Sequence, residues 1–256
     1  MFTGAFSSRR DRATAVIGSA LSSAFSSAKI RSGVSWLSVV ILVAGCAATP
    51  QSSVELGKDA LSPTSGRVGV AMTPLPKIDT RFPGADCLLC LAAASVMNSS
   101  LTSYTEKLPP EGLPELKGTL AELIHKKGAE AVVIADDIKV DALPDFASKG
   151  PNVALKDFTG LKQKHSVDKV LVIDVTQLGM YRDYSAYIPT SDPRAEFALK
   201  GYLVNLSNNT YEWYQTFSEA RGTDGNWDEP PSFPGLTNAY FQVLEQGKDA
   251  LLGTFK

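Results

Sequence analysis

Three cysteines are the residues of this chain whose type and spacing could do covalent chemistry. Cys46 stands alone, directly after Ala44 and Gly45, at the end of an apolar run from Val34 to Val43. A thiol at such a boundary can accept a lipid as a thioether, and the two small residues let the peptide lie extended in a narrow protease cleft. Cys87 and Cys90 form the second arrangement, Cys-Leu-Leu-Cys after Pro83-Gly84-Ala85-Asp86. At a helix start, residues three apart lie within disulfide reach, and the helix N-terminus favours a thiolate. A structural disulfide, a pair of buried thiols, and a redox or metal pair are all compatible with that spacing. An oxidising compartment favours the disulfide. A structural zinc needs four ligands, and the chain has only two histidines to add. Leu88 and Leu89 are expected to bury partly against a sheet, which would shield the bond from an attacking thiolate.

The rest of the catalytic inventory is thin. His125 falls near a predicted helix end and His165 just before a strand, and both read as surface histidines. There is no nucleophile elbow, phosphate loop, dinucleotide fingerprint or zinc-protease motif. Asp136 and Asp137 adjoin a strand end, where neighbouring carboxylates usually mark a solvated turn. Asp224-Gly225-Asn226-Trp227-Asp228 alternates oxygen ligands like the start of a calcium loop, but Glu229 and Gly235 stand where a glycine and a bidentate glutamate are needed. A turn is expected there. Tyr181, Tyr184 and Tyr187 cluster around Arg182, a composition suited to a partner-binding loop; the same tyrosines would also cover a sheet edge. No catalytic residue, metal or cofactor is expected.

The context of Cys46 sharpens its meaning. Lys29 and Arg31 precede the apolar run, which is about ten residues long, too short to span a bilayer. Leu42-Val43-Ala44-Gly45-Cys46 resembles the lipobox of bacterial lipoproteins. The resemblance implies a signal peptide over 1–45, cleavage before Cys46, and lipidation of Cys46. Ala47 is not aspartate, so by likeness to enterobacterial sorting an outer-membrane location facing the periplasm is implied. The leader is long, and its Arg9-Arg10 pair lies too far from the apolar run to suit a twin-arginine signal; an early start codon explains it more simply. Residues 1–45 hold five basic side chains and one acidic, which leaves twenty basic and twenty-six acidic beyond them, a net charge of −6. Such a surface has no electrostatic reason to hold nucleic acid.

Residues 46–65, with Ser, Thr, Gln and Pro and no sustained apolar period, read as a flexible tether. Residues 66–256 then form one domain large enough for a real core. Strands are predicted at Arg67 to Met72, Ala131 to Ile134 and Lys169 to Val175. A helix capped by Asp86 runs through Leu88, Leu89, Ala92, Val96 and Leu101. Another covers Thr119 to Lys127 with Gly128 as its stop, and Phe158 to His165 is helical. Phe197 to Leu206 and Thr210 to Ala220 form a hairpin across Ser207-Asn208-Asn209, because asparagine accepts the positive φ of a tight turn. Leu236 to Leu252 closes the chain as a helix. The order β-α-α-β-α-β-β-β-α makes the fold class α/β, leaning to α+β: a single mixed sheet with helices packed on it.

A lipidated cysteine, a tether and this order of elements resemble the CsgG-like and LpoB-like bacterial lipoproteins and the N-terminal domain of TolB. The residues that carry the likeness are Val68 to Met72, Lys169 to Val175, Gly201 to Leu206, and Tyr211-Glu212-Trp213. The resemblance implies an envelope protein tethered to the membrane by its lipid, a non-enzymatic adaptor or assembly factor with another envelope protein as partner. Two alternatives stand beside it: a thiol-disulfide redox protein using Cys87 and Cys90, and a subunit of a CsgG-like secretion complex.

Overall fold

A computed structural model describes residues 50–256, so the expected lipidation site Cys46 and the leader lie outside the described residues. Six strands form one mixed sheet: β1 Val68–Met72, β2 Asp79–Arg81, β3 Ala131–Val133, β4 Lys169–Tyr181, β7 Arg194–Asn205 and β8 Thr210–Arg221, with β5 Tyr184–Ser185 and β6 Ile188–Pro189 as a separate short hairpin. The order across the sheet is β3-β1-β4-β7-β8, with β2 pairing β4 beyond the end of β1. β1 lies parallel to β3 and β4, while β4–β7 and β7–β8 are antiparallel. The helices are α1 Leu88–Met97, α2 Ser99–Thr105, α3 Leu116–Lys127, α4 Leu161–His165 and α5 Pro234–Gly253. The expected mixed sheet with helices packed on it is therefore the fold.

β4 is central because its first half, Lys-Val-Leu-Val-Ile-Asp-Val, can be covered on both faces. On one face Leu171 and Ile173 join Val68, Val70, Phe197, Leu199, Leu203 and Trp213 beneath α3 and α5. α5 supplies Tyr240, Val243, Leu244 and Leu251 to that layer. On the other face Val170 and Val172 meet Tyr202, Val204, Phe158, Leu161 and Ile134. Gly128 takes φ +106° and ends α3, as its position predicts.

Asn209 does more than turn the hairpin. It has φ +56° and is fully buried. Its amide donates to the carbonyls of Ala154 and Lys156 at 3.0 and 2.9 Å, and its Oδ1 accepts from Phe158 N–H at 2.9 Å. One side chain thus pins the segment that covers the second face of the sheet.

Four local expectations are corrected. The long helix from Asp86 is two helices, broken at Asn98, whose backbone leaves the helical conformation at φ −112° and whose side-chain amide joins its own N–H on the Ala94 carbonyl at 2.8 Å. The cap of α1 is Cys87, not Asp86. β2 and the β5–β6 hairpin are additional to the predicted order; each strand is three residues or fewer, too short for a periodic signal. Finally, residues 54–65, read as part of the tether, pack on the domain. Val54 exchanges backbone hydrogen bonds with Tyr214 at 2.9 and 3.0 Å, Leu61 enters the main core, and the Ala60 carbonyl accepts from Lys169 Nζ at 2.9 Å.

The buried tyrosines set an alkaline limit. Burial holds the phenols of Tyr202 and Tyr240 well above their ordinary range and pushes Tyr211 up to about 12. A raised folded-state pKa means the unfolded chain ionises first. The stability these groups contribute is therefore complete below about pH 10 and is lost as pH rises above it. We expect an absorbance titration at 295 nm to leave a fraction of the eight tyrosines protonated above pH ~11, titrating together as near-ultraviolet dichroism collapses. Ionisation of all eight near pH ~10 with dichroism intact would contradict this.

Candidate functional site

An exposed surface is assembled where the turn before α1 docks onto the β5–β6 hairpin. Gly84 sits at φ +83°, and a Cβ there would collide with the Tyr184 carbonyl oxygen, so only glycine lets the two segments meet. Tyr184 N–H donates to the Pro83 carbonyl at 2.8 Å and Ala186 N–H to the Gly84 carbonyl at 3.1 Å. Beneath this junction Asn98 Nδ2 donates to the Tyr184 hydroxyl at 2.6 Å, and Arg182 Nη1 to Asn98 Oδ1 at 3.2 Å. Arg182 also donates from Nε to the Ser191 carbonyl at 2.9 Å and stacks over Trp227, 4.9 Å from the ring centre.

These contacts separate the four residues predicted to bind a partner. Tyr184 is buried beside Phe82 and is part of the packing, and Arg182 is committed to holding the junction. Tyr181 is half-buried at the end of β4. Tyr187 alone is displayed at the surface.

Cys87 and Cys90 are joined as a disulfide with their Cα atoms 4.9 Å apart. Cys87 is exposed and Cys90 is 3% exposed, packed with Ala85, Ala94 and Tyr184. Cys90 N–H donates to Cys87 Sγ at 2.9 Å, and the Tyr187 hydroxyl lies 3.7 Å from the same sulfur. The expectation that Leu88 and Leu89 bury against the sheet is overturned: they are 84% and 70% exposed. α1 rests on the domain through Cys90 and Ala94, two small side chains on one side of the helix. At 100° per residue that leaves Leu88, Ala92 and Val96 in a row on the opposite side, flanked by Leu89 and Leu91.

The outcome is an apolar surface of Leu88, Leu89, Leu91, Val96 and Met97; Ile188 on β6 is exposed as well. No Asp, Glu, Lys or Arg occurs between Cys87 and Thr105. Sequence reasoning assigned this face to the core because aliphatic residues at helical spacing usually belong there. The signal it passed over is that apolar residues ring the helix on nearly all sides, more than one core-facing stripe requires. Beside α1 an open groove of about 550 Å³ runs between β2 and the helix pair, with Arg81, Phe82, Leu91, Ser95 and Ser99 in its walls. Arg81 is anchored there by a two-pronged ion pair with buried Glu196, Nε to Oε1 at 2.6 Å.

The other candidates fall elsewhere. His125 sits in the last turn of α3 with Nε2 2.9 Å from the Ala131 carbonyl, and His165 closes α4. Residues 224–228 form a turn in which Thr223 Oγ1 donates to the Gly225 carbonyl at 2.7 Å. Among the described residues, no group of three or more His, Cys, Asp or Glu side chains could hold a metal ion.

No protein-family model and no curated protein matches the chain. Among solved structures, it is similar to a Xanthomonas campestris protein of the DUF330 family, with 17% identity, 80% of this chain and 91% of that chain covered, and a TM-score of 0.35. It is also similar to PelC from Paraburkholderia phytofirmans, solved as a dodecamer, with 13% identity, coverage of 80% and 94%, and a TM-score of 0.35. A third is lipoprotein GNA1162 from Neisseria meningitidis, with 14% identity, coverage of 73% and 95%, and a TM-score of 0.31. At these identities and scores the likeness says nothing of what this chain binds.

Proposed function

We propose that this protein is a lipid-anchored adaptor of the bacterial cell envelope, held at the periplasmic face of the outer membrane by Cys46 and docking another envelope protein on α1. The observation that carries the reading is the uncharged, solvent-exposed apolar face of that helix. Large exposed apolar patches on soluble domains mark interaction surfaces. A helix that lies in a lipid interface carries Lys and Arg along its polar side; α1 and α2 carry none, which favours a protein partner over the bilayer. Structural support is already in place: the helix is covalently stapled at its start and pinned at its end by Asn98, so little order is lost on docking.

The test is site-specific photocrosslinking in cells. A photoreactive residue replacing Val96, which is 75% exposed, is expected to give a discrete protein adduct. The same residue at exposed Glu122 on α3 is expected to give none. Adding Leu89→Asp and Met97→Asp should abolish the adduct while changing stability by no more than about 0.5 kcal/mol, the usual range for surface positions. Equal labelling from both positions, or adducts confined to lipid, would overturn the reading.

A further inference from the structure

We infer that the Cys87–Cys90 bond is a thiol-exchange site that captures a partner polypeptide through a cysteine lying in an apolar stretch. The inference rests on the docking reading of the α1 face and adds covalent chemistry to it. Four observations converge. The bond is open at one sulfur only, because Cys87 is exposed whereas Cys90 is sealed beneath Ala85, Ala94 and Tyr184. An incoming thiolate can therefore reach Cys87 Sγ and not its neighbour. Second, that sulfur sits at the N-terminus of a ten-residue helix and already accepts the Cys90 N–H, an arrangement that stabilises negative charge on it once the pair is reduced. Third, the Tyr187 hydroxyl reaches the same atom from the β5–β6 hairpin, while Asp86, next in the chain, is the acidic neighbour that opposes the charge. Fourth, the sulfur stands at the head of a helix whose next two residues, Leu88 and Leu89, are strongly exposed, which favours an apolar polypeptide over small charged thiols.

The exchange balances without an outside oxidant. A thiolate of the partner attacks Cys87 Sγ, a partner–Cys87 disulfide forms, the Cys87–Cys90 bond breaks, and the electron pair departs on Cys90 Sγ, which takes a proton from solvent. One disulfide replaces another. In the reverse direction the Cys90 thiolate, held three residues away, attacks Cys87 Sγ and expels the partner. If the partner carries a second thiol, that thiol attacks the partner's own sulfur in the mixed disulfide. Two electrons then pass from the partner, which leaves with a disulfide, to this chain, which keeps a dithiol. The geometry thus provides either a reversible latch or a two-electron acceptor, and the number of thiols on the partner decides which.

The test uses the full chain with Cys46→Ser, in which Cys87 and Cys90 are the remaining cysteines. Two synthetic peptides serve as probes, each with one cysteine, flanked by leucines in one and by serines in the other, so that they differ in apolar surface and not in charge. Intact mass spectrometry follows the mixed disulfide at equal thiolate concentration, with glutathione as a third probe. The leucine-flanked peptide is expected to react about tenfold faster than the serine-flanked one, the difference that burial of one or two aliphatic side chains can supply. Its adduct should map to Cys87. Leu88→Ser with Leu89→Ser should bring the leucine-flanked peptide down to the rate of the serine-flanked one and leave the glutathione rate within about twofold, because the apolar surface is lost, no charge is added beside the sulfur, and neither exposed side chain holds the fold. Three results would each overturn the proposal: an adduct on Cys90, no peptide preference, or a preference that survives the double substitution. If the exchange fails while crosslinking from Val96 persists, only the covalent step falls. If both fail, the docking surface falls with it.

Discussion

Gly201→Val is expected to cost about 4 kcal/mol or more, a large share of the roughly 5–15 kcal/mol that holds an ordinary domain folded. Gly201 is a buried residue in the middle of β7, and the Trp213 ring from β8 lies directly over it. A Cβ at this position would overlap that ring and stand 3.1 Å from Leu251 Cδ1 on α5. Trp213 is wholly buried and meets Phe255 edge-on at 5.1 Å, so it has no free space to retreat into. Valine adds three carbons to a site that cannot accept one. Overpacking of this kind typically costs 1–3 kcal/mol, and here backbone displacement in a central strand adds to it. Urea denaturation followed by tryptophan fluorescence checks this. Gly201→Ala should lie between wild type and valine, and a valine variant with an unchanged midpoint would show that Trp213 does not pack as described.

Cys46→Ser should produce the largest change in cellular distribution. With acyl chains attached, each buried methylene contributes about 0.8 kcal/mol, so two or more chains hold the protein on the membrane almost irreversibly. Serine cannot form the thioether. The variant is expected to move from the detergent-soluble membrane fraction to the soluble fraction or to remain as an unprocessed precursor, with the wild type fully membrane-associated. A serine variant that still sediments with membranes, processed and in the absence of detergent, would remove the lipid anchor from the proposed function. The substitution removes no side chain from the core clusters of the domain, so its fold should be unaffected.

The long elements were legible because their patterns are long. The apolar run at 169–175 marked the central strand, the Ser-Asn-Asn turn marked the β7–β8 hairpin, and Gly128 marked the end of α3. What was not legible depends on partners distant in sequence. β2 exists because Asp79–Arg81 aligns with Gly179–Tyr181, and its Arg81 pairs with Glu196 on β7. Asn98 breaks a helix whose local sequence would continue it, because Tyr184 and Arg182 satisfy its side chain from elsewhere. At the candidate site the cysteine pair could be read from spacing, but not its surroundings. The aliphatic pattern of α1 matches that of a core helix, and only the assembled sheet reveals that α3 and α5 already fill the layer α1 was expected to occupy.

The pairing of Val54 with Tyr214 has a consequence for how the protein samples its surroundings. A fully extended leash of about twenty residues would let a domain range up to about 70 Å from its anchor. With Cys46 as the proposed anchor, stitching Val54 to β8 leaves seven residues between it and the folded body, a reach of at most about 28 Å. Confinement to so thin a layer raises the local concentration of a target held in the same membrane above its value in open solution, without any new contact. A contact of modest intrinsic strength on α1 would then suffice for stable association with a partner resident in the same membrane, whereas a freely diffusing partner would gain nothing from the arrangement. The leash length would thereby act as a filter for where a partner lives, separate from the chemistry that recognises it.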